Sequence, residues 1–365
     1  MAVLLLAVPL VAAGDTVREE AAWYAAEMGV SVEEAARRLE LQDAAGELDA
    51  LLAAEEAATF AGLTIEHQPS FHVVVRFTDP AAAKRLAARV AAGPLRGLVE
   101  TRPARHSIAE LQRWQETMHG AGREQGLEFD SDLDVRGNRL EARTRLDPWN
   151  FQARMGQALL PGTTTVRVQR LFMAQALVGG SRGAMCTGGF TVRAADGELG
   201  IVTAGHCPDT QEFDGVSLPR RGELDGARSD VQWHGACDRV EVTNEFETGL
   251  GRRACTAARP RGHQAVGQYV CKYGASTGRS CGTIASRHFT PGQYQASFIL
   301  VNDQVNAAGD SGAPWFDQGT AVGIHQGSAS DGKSVYLPID SLSDLGLSVL
   351  TSDPGACTRR AKNSN

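Results

Sequence analysis

All seven cysteines of this chain lie in its second half, between Cys186 and Cys357. Spacings such as Cys186 to Cys207 and Cys271 to Cys281 differ from the C-x-x-C pairs of zinc sites, so disulfides that close loops in an oxidising compartment are favoured. Since seven is odd, one cysteine is left over. This uneven distribution predicts two regions of different construction, of which only the second is cross-linked.

The second region has the pattern of an all-β domain. From about Met185 onward the helical period disappears, and short runs of β-branched residues alternate with clusters of Gly, Asp and Ser. These runs cover residues 190–193, 200–203, 231–233, 240–242, 266–272, 297–301, 320–325 and 334–337. A domain of roughly 180 to 190 residues with this pattern is typical of a β-sandwich or β-barrel.

The first region has the pattern of an α+β domain, with many Ala, Glu, Leu and Arg residues at helical spacing and with Ser31 placed to cap a helix. The residue pattern changes from residues 161–163 onward, which places the domain boundary near residue 170. The predicted elements are helices over about 15–60, 80–92 and 108–118, strands over 63–66 and 71–77, and a hairpin over 132–145 that turns at Asn138.

Charge and hydropathy bear on partners and location. The net charge of −7 comes from 36 basic and 43 acidic residues without basic runs, which disfavours nucleic acid as a partner. The longest apolar stretch, residues 1–13, is too short for the ~20 residues of a membrane-spanning helix. It has the length of a secretory signal with small residues before Gly14, although the usual positive n-region is missing. We predict a signal peptide over 1–13 and a secreted protein without a membrane partner; the alternative is a buried N-terminal helix.

Three short strings in the second region carry the candidate chemistry. His206 lies in Thr-Ala-Gly-His-Cys, Asp230 in Ser-Asp-Val-Gln-Trp, and Ser311 in Gly-Asp-Ser-Gly. A serine hydroxyl becomes a good nucleophile when an imidazole takes its proton, and a buried carboxylate fixes the tautomer of that imidazole. Glycines around the serine allow the backbone N–H groups of Gly309 and Ser311 to form an oxyanion hole. We therefore predict catalytic roles for all four residues.

The carboxylate has two competitors downstream of His206. Asp225 precedes Gly226 in a turn-like string, and Asp238 stands beside Cys237 at a strand entrance, so both resemble solvated loop residues. Asp230 instead begins a run in which apolar and polar residues alternate, as in a half-buried strand. We therefore assign the orienting role to Asp230.

These strings resemble those of the bacterial chymotrypsin-like serine proteases that are made with a pro-region, the streptogrisins and α-lytic protease. The resemblance covers nearly all of residues 186–345 and includes Cys-Thr-Gly-Gly-Phe from Cys186, the fifteen-residue string from Val270 to Ile284, and Leu-Pro-Ile-Asp from Leu337. It implies two six-stranded β-barrels with the catalytic cleft between them, and disulfides Cys186–Cys207 and Cys271–Cys281. It also implies that residues 14–170 are an α+β pro-domain and that residues 171–365 are the all-β protease domain.

The chain departs from the family pattern at two places. Ala313 stands where the family usually has a second glycine after the nucleophile, and the family's third disulfide is missing because residues 306–308 contain no cysteine. Cys237 and Cys255 are then expected to pair, which leaves Cys357 free or intermolecular; three cysteines allow three pairings.

The predicted function is that of a secreted serine endopeptidase that acts on proteins or peptides, is bound by its own pro-domain and uses neither a metal nor another cofactor. A catalytically inactive binding module of the same fold is the alternative, and an esterase of another fold is disfavoured because its nucleophile would precede the acid and the histidine.

The residues predicted to line the substrate pocket are Val305, Ala308, His325 and Ser328. The six residues before Ser311 contain no acidic residue except Asp310, which argues against a trypsin-like pocket. His325 resembles the histidine of the glutamate-selective branch of the family, or it is a polar residue near the pocket wall. The expected processing junction, within residues 170–178, contains no Glu.

Overall fold

The computed structural model describes residues 13–168, 173–174, 186–213, 216–226, 229–237 and 239–354. The predicted signal peptide therefore lies outside the described residues except for Ala13, as does most of the expected processing junction. Within the described chain, no helix is long and apolar enough to cross a membrane.

The first region is α+β, as the sequence predicts. It contains two three-stranded sheets, β1-β2-β3 and β4-β5-β6, each with one antiparallel and one parallel pairing. Its elements are α1 (Ala13–Met28), α2 (Val32–Glu55), β1 (Phe60–Glu66), β2 (His72–Phe77), α3 (Pro80–Arg89), β3 (Val99–Pro103), α4 (Ile108–Glu124), β4 (Phe129–Asp134), β5 (Arg139–Thr144), α5 (Pro148–Met155) and β6 (Thr164–Arg167).

Local sequence signals explain these boundaries. The Ser31 side chain accepts a hydrogen bond from the backbone N–H of Glu34 and begins α2, which confirms the predicted cap. The helical pattern predicted over 15–60 is two helices, because Gly29 takes a left-handed φ of 68° between them. Asn138 has a φ of 50° in the β4–β5 hairpin, where the turn is predicted.

The second region is all-β. The two-residue strand β7 (Met173–Ala174) precedes a six-stranded antiparallel sheet with the strand order β10-β11-β12-β9-β8-β22. This first sheet contains β8 (Thr191–Ala194), β9 (Leu199–Thr203), β10 (Thr210–Phe213), β11 (Val216–Gly226), β12 (Ser229–Gly235) and, from the end of the region, β22 (Leu347–Val349). A small hairpin, β13 (Glu245–Glu247) and β14 (Arg252–Ala254), follows it along the chain.

The second sheet closes on itself. Its strands are β15 (Ala257–Ala258), β16 (Tyr269–Gly274), β17 (Gly278–Phe289), β18 (Phe298–Val301), β19 (Pro314–Asp317), β20 (Thr320–Ser328) and β21 (Ser334–Pro338). The pairing of β20 with β21 joins the two ends of the order β20-β19-β16-β17-β18-β21, and β15 adds to the outside of β20. A closed six-stranded barrel beside a six-stranded sheet confirms the predicted chymotrypsin-like class.

The two regions share one hydrophobic core. Tyr24 and Leu39 of the first helices belong to the same buried cluster as Phe190, Trp233 and Phe298 of the β region. A separate cluster fills the closed barrel and includes Val270, Ile284, Trp315 and Tyr336. Helices α1 and α2 therefore pack on the β region through buried apolar side chains.

Acidic side chains of α1 and α2 pair with basic side chains of the β region. Glu20 lies 2.6 Å from Arg253, and Asp49 forms a buried ion pair with Arg287. Burial raises the pKa of both carboxyls, and the neighbouring arginines oppose that rise. At Gly46 of α2 the approach is so close that a Cβ atom would overlap a carbonyl oxygen of the β region, that of His263.

The cysteines confirm two pairings and correct a third. Cys186–Cys207 and Cys271–Cys281 are disulfides, as the resemblance implies. The expected Cys237–Cys255 pair is wrong, because Cys237 is disulfide-bonded whereas Cys255 is a free, buried thiol. The Cys255 thiol lies 3.3 Å from the carbonyl oxygen of Ala257, while the Cys237 sulfur lies 3.2 Å from the backbone N of Leu199 in the other sheet. Cys357 lies outside the described residues.

Candidate active site

Asp230 is a fully buried carboxylate on β12. Its Oδ1 accepts a hydrogen bond from the backbone N–H of His206 at 2.8 Å, and its Oδ2 accepts one from Nδ1 of the same histidine at 2.7 Å. A side chain in place of Gly205 would lie 2.8 Å from Asp230 Oδ1, so glycine lets the two backbones approach. The carboxylate keeps the ring proton on Nδ1 and leaves a lone pair on Nε2.

The other ring nitrogen of His206 faces the candidate nucleophile. Nε2 lies 2.9 Å from Oγ of Ser311, and the Ser311 residue is fully buried. With the proton on Nδ1, the hydroxyl donates and Nε2 accepts, which is the arrangement in which imidazole can take the hydroxyl proton. The structure therefore brings His206, Asp230 and Ser311 together in one hydrogen-bonded chain.

The two competing carboxylates lie outside the described side chains. Asp225 lies on β11 in register with Asp230 of β12, but its side chain is outside the described part of the structure, as is all of Asp238. Asp230 supplies both described carboxylate contacts to His206.

The loop that carries Ser311 turns at Gly309, and two of its carbonyl groups are hydrogen-bonded. Gly309 has a φ of 101°, and the carbonyl oxygen before it, that of Ala308, accepts a hydrogen bond from Ser276 Oγ at 2.8 Å. The carbonyl of Asp310 accepts one from the backbone N–H of Ala313 at 2.9 Å. Because C=O and N–H point in opposite directions across a trans peptide, these contacts direct the N–H groups of Gly309 and Ser311 away from those partners.

Known proteins similar to this chain include a bacterial protease. No family model matches the chain. Streptogrisin-C of Streptomyces griseus is 29% identical over 184 residues, which cover 47% of this chain and 40% of streptogrisin-C. The chain is similar in sequence to a bacterial chymotrypsin-like serine protease. It thus spans about two fifths of the length of the curated relative that it matches.

Solved structures of similar proteins are also found. Protease A of Thermobifida fusca is 27% identical, with a TM-score of 0.40 over 49% of this chain and 98% of that protein. A homologue of α-lytic protease, N4, is 23% identical, with a TM-score of 0.35 over 44% of this chain and 91% of that protein.

Lys272 is a buried residue of the site that sequence reasoning missed. Its ammonium lies 3.4 Å from Asp310 Oδ2, and both side chains are fully buried. Asp310 also accepts hydrogen bonds from the backbone N–H groups of Ser276 and Thr277, both at 3.1 Å, and from the Thr277 hydroxyl at 2.6 Å. Burial lowers the pKa of Lys272, and Asp310 opposes this. The residue next to Ser311 therefore anchors the loop; the available signal was a single cation in the apolar run 266–272.

Tyr294 is a second missed residue. Its hydroxyl donates a hydrogen bond of 3.2 Å to Asp230 Oδ2. It lies between β17 and β18, 64 residues from Asp230, and no local motif marks it.

The predicted pocket residues fall into two groups. Val305 and Ala308 are exposed on the loop before Ser311, whereas His325 is fully buried on β20 and Ser328 is half-buried at the end of that strand. His325 Nδ1 accepts a hydrogen bond from Trp315 Nε1 at 3.3 Å. Burial holds the pKa of His325 well below its usual range, and Lys272 and His206 add to this effect. The lowered pKa favours the neutral imidazole, which disfavours recognition of a substrate carboxylate through a positive charge on His325.

A segment of the chain itself lies along β20. Strand β7 pairs antiparallel with the end of β20, with Ala174 opposite Gly327 and Met173 opposite Ser328. Near the start of this pairing, the backbone of His325 is hydrogen-bonded to Gly312 and Ala313, which follow Ser311. The segment between the two regions thus runs along the strand that adjoins the candidate nucleophile.

The Lys272–Asp310 pair predicts strong energetic coupling. Lys272→Met or Asp310→Asn should each lower the free energy of unfolding by about 3 to 5 kcal/mol, because each leaves the other partner buried without its counter-ion. The double variant should lose clearly less than the sum. Urea unfolding of the four proteins measures this coupling.

The pair Arg145–Glu128, at 2.9 Å and with both side chains mostly exposed, is a control for which we expect about 1 kcal/mol or less. Additive losses at Lys272 and Asp310 would contradict the assignment of a buried ion pair.

Proposed function

We propose that this chain is a secreted serine endopeptidase that acts through His206, Asp230 and Ser311. The observation that carries the proposal is the continuous hydrogen-bonded chain from Asp230 Oδ2 through His206 to Ser311 Oγ, with distances of 2.7 and 2.9 Å. The similarity to streptogrisin-C supports a peptidase as well. The two disulfides of the described β region support secretion.

In the proposed reaction, Ser311 Oγ attacks the carbonyl carbon of a peptide bond while His206 Nε2 takes the hydroxyl proton. Asp230 stabilises the imidazolium that forms. The proton then passes from Nε2 to the leaving amine. A water molecule, deprotonated by the same nitrogen, attacks the acyl-enzyme ester, and Nε2 returns that proton to Ser311 Oγ as the ester bond breaks. The N–H groups of Gly309 and Ser311 bind the oxyanion, where loss of one donor typically costs about 2.7 to 4 kcal/mol in the barrier.

A fluorophosphonate probe tests the proposal directly. The processed wild-type protein should be labelled on Ser311 and should hydrolyse peptides, and Ser311→Ala should abolish both. Asp230→Asn should reduce kcat by roughly 10⁴-fold, the loss that the same change causes in chymotrypsin-type triads, because the imidazole then takes the wrong tautomer.

The alternative, an inactive binding module with the same fold, predicts a different result. Folded, processed protein would then bind peptides without probe labelling or hydrolysis. That outcome would overturn the proposal.

We further propose that residues 14–170 are a pro-domain of the protease domain 171–365. The buried contacts of α1 and α2 with the β region support a bound pro-region. The pairing of β7 along β20 supports a junction at which the first residues of 171–365 still lie along the strand that adjoins Ser311. A closed barrel depends on pairings between strands that are distant in sequence, such as β16 and β19, which fold slowly without a template.

Separate expression tests this role. Residues 171–365 alone should be inactive or aggregated, and addition of residues 14–170 should restore activity. Gly46→Ala in the added fragment should lower the recovery, because the methyl group overlaps the His263 carbonyl oxygen. Gly120→Ala, on α4 with open space around the new Cβ atom, is the matched control and should recover fully. Unaided refolding of 171–365 to full activity would refute the template role.

The substrate preference rests on His325. If its neutral Nε2–H recognises a glutamate side chain, His325→Ala should lower cleavage after Glu by roughly ten- to a hundredfold relative to cleavage after Leu. Burial of the ring and its contact with Trp315 favour a structural role instead, which predicts equal losses on both substrates. Paired peptides that differ only in the residue before the scissile bond measure the ratio.

A further inference from the structure

Three donors reach the Asp230 carboxylate within the described residues. Two of them belong to His206, and the third is the hydroxyl of Tyr294, which donates to Oδ2 at 3.2 Å. Oδ2 is the same oxygen that accepts from His206 Nδ1. The Tyr294 hydroxyl is therefore in direct competition with the imidazole for the electron density of one oxygen atom.

The position of Tyr294 is fixed by its surroundings. The residue is 5% exposed, and its ring packs against Phe298 with a centroid distance of 4.9 Å. Its backbone N–H closes a turn onto the carbonyl of Pro291 at 2.9 Å. Because the ring and the backbone of Tyr294 are both fixed, its hydroxyl loses little further conformational entropy when it donates to Asp230.

Gln326, one of the buried polar side chains of β20, does not supply such a donor to Asp230. Gln326 on β20 is fully buried, its amide donates to the carbonyl of Ile324 at 3.3 Å, and its Oε1 has no hydrogen-bond partner among the described residues. Of the described side chains, only those of His206 and Tyr294 bond to the carboxylate.

We propose that Tyr294 is a positioning residue of the protease: its hydroxyl holds Asp230 Oδ2 in place and sets how strongly that oxygen binds His206 Nδ1–H. This inference rests on the proposed function, but the contact itself does not depend on turnover. The hydroxyl acts through Asp230. Its loss should therefore alter kcat and the hydrogen bond of His206 Nδ1–H more than it alters substrate binding.

The kinetic test compares the processed wild-type protein with Tyr294→Phe. We expect kcat to fall roughly tenfold with KM changed by less than about twofold, the size of effect expected for one hydrogen bond to a charged group. The acid limb of the kcat/KM profile should move to higher pH, because a carboxylate with one donor fewer holds the imidazolium more tightly. Tyr336→Phe is the matched control: it removes another buried hydroxyl, which bonds to Gln264 at 2.5 Å, and should leave kcat and the pH profile unchanged.

The second readout does not require activity. The downfield ¹H NMR resonance of the His206 Nδ1–H proton in the full chain should shift further downfield in Tyr294→Phe, because Oδ2 becomes a stronger acceptor, and should stay in place in Tyr336→Phe. Near-UV circular dichroism confirms that each variant is folded.

An unchanged resonance in folded Tyr294→Phe, or a loss of thermal stability with unchanged kcat and pH profile, would overturn the positioning role. A wild-type protein that shows the Tyr294-dependent resonance but no fluorophosphonate labelling would refute the proposed protease function and leave the Tyr294 contact established.

Discussion

A carboxylate removed from water is tolerated only where donors surround it, and this requirement applies to Asp230, which is fully buried. Its described donors come from the turn after β9 and from the loop after β17, so they belong to both parts of the β region. A second set of polar contacts joins the same parts, since Thr187 donates from its backbone to Ser311 and from its hydroxyl to Gly309. The two sheets cannot shift relative to each other without leaving buried polar groups unpaired.

The contact between the first region and the β region follows a different principle. Glu20 and Asp49 are charged side chains buried against arginines, and the desolvation that raises their pKa also offsets much of the attraction. When the two regions separate, both charged partners regain their hydration. These ion pairs therefore determine how the regions align more than they add to the affinity between them. Buried apolar side chains such as Tyr24, which is fully enclosed, supply the favourable burial.

What could be predicted from the sequence was local. The Ser31 cap and the Asn138 turn are each set by a few neighbouring residues, and the structure has both. The strings around His206 and Ser311 are local as well, and the structure brings these two side chains within hydrogen-bond distance. Lys272 and Tyr294 were missed because their partners are 38 and 64 residues away, and a side chain in a strand or loop carries no sign of such a partner.

The cysteine pairings show the same limit of prediction from local sequence. The two pairings that lie within recognisable strings were predicted correctly, whereas the expected pair Cys237–Cys255 was wrong because it was reached by elimination. Spacing alone does not show that the two sulfur atoms lie against different sheets.

The loop that carries Tyr294 connects the donors of Asp230 with the contacts between the first region and the β region. Ser131 of β4 exchanges backbone hydrogen bonds with Thr290 at 2.8 and 2.9 Å, and Asp130 Oδ1 accepts one from the backbone N–H of Gly292 at 2.9 Å. Tyr294 follows two residues later. A docked first region thus orders the backbone that places a hydroxyl on Asp230, which is a physical route by which a template could fix the triad. If that region is removed, as proposed, the ring contact with Phe298 and the turn onto Pro291 must hold the same hydroxyl in place.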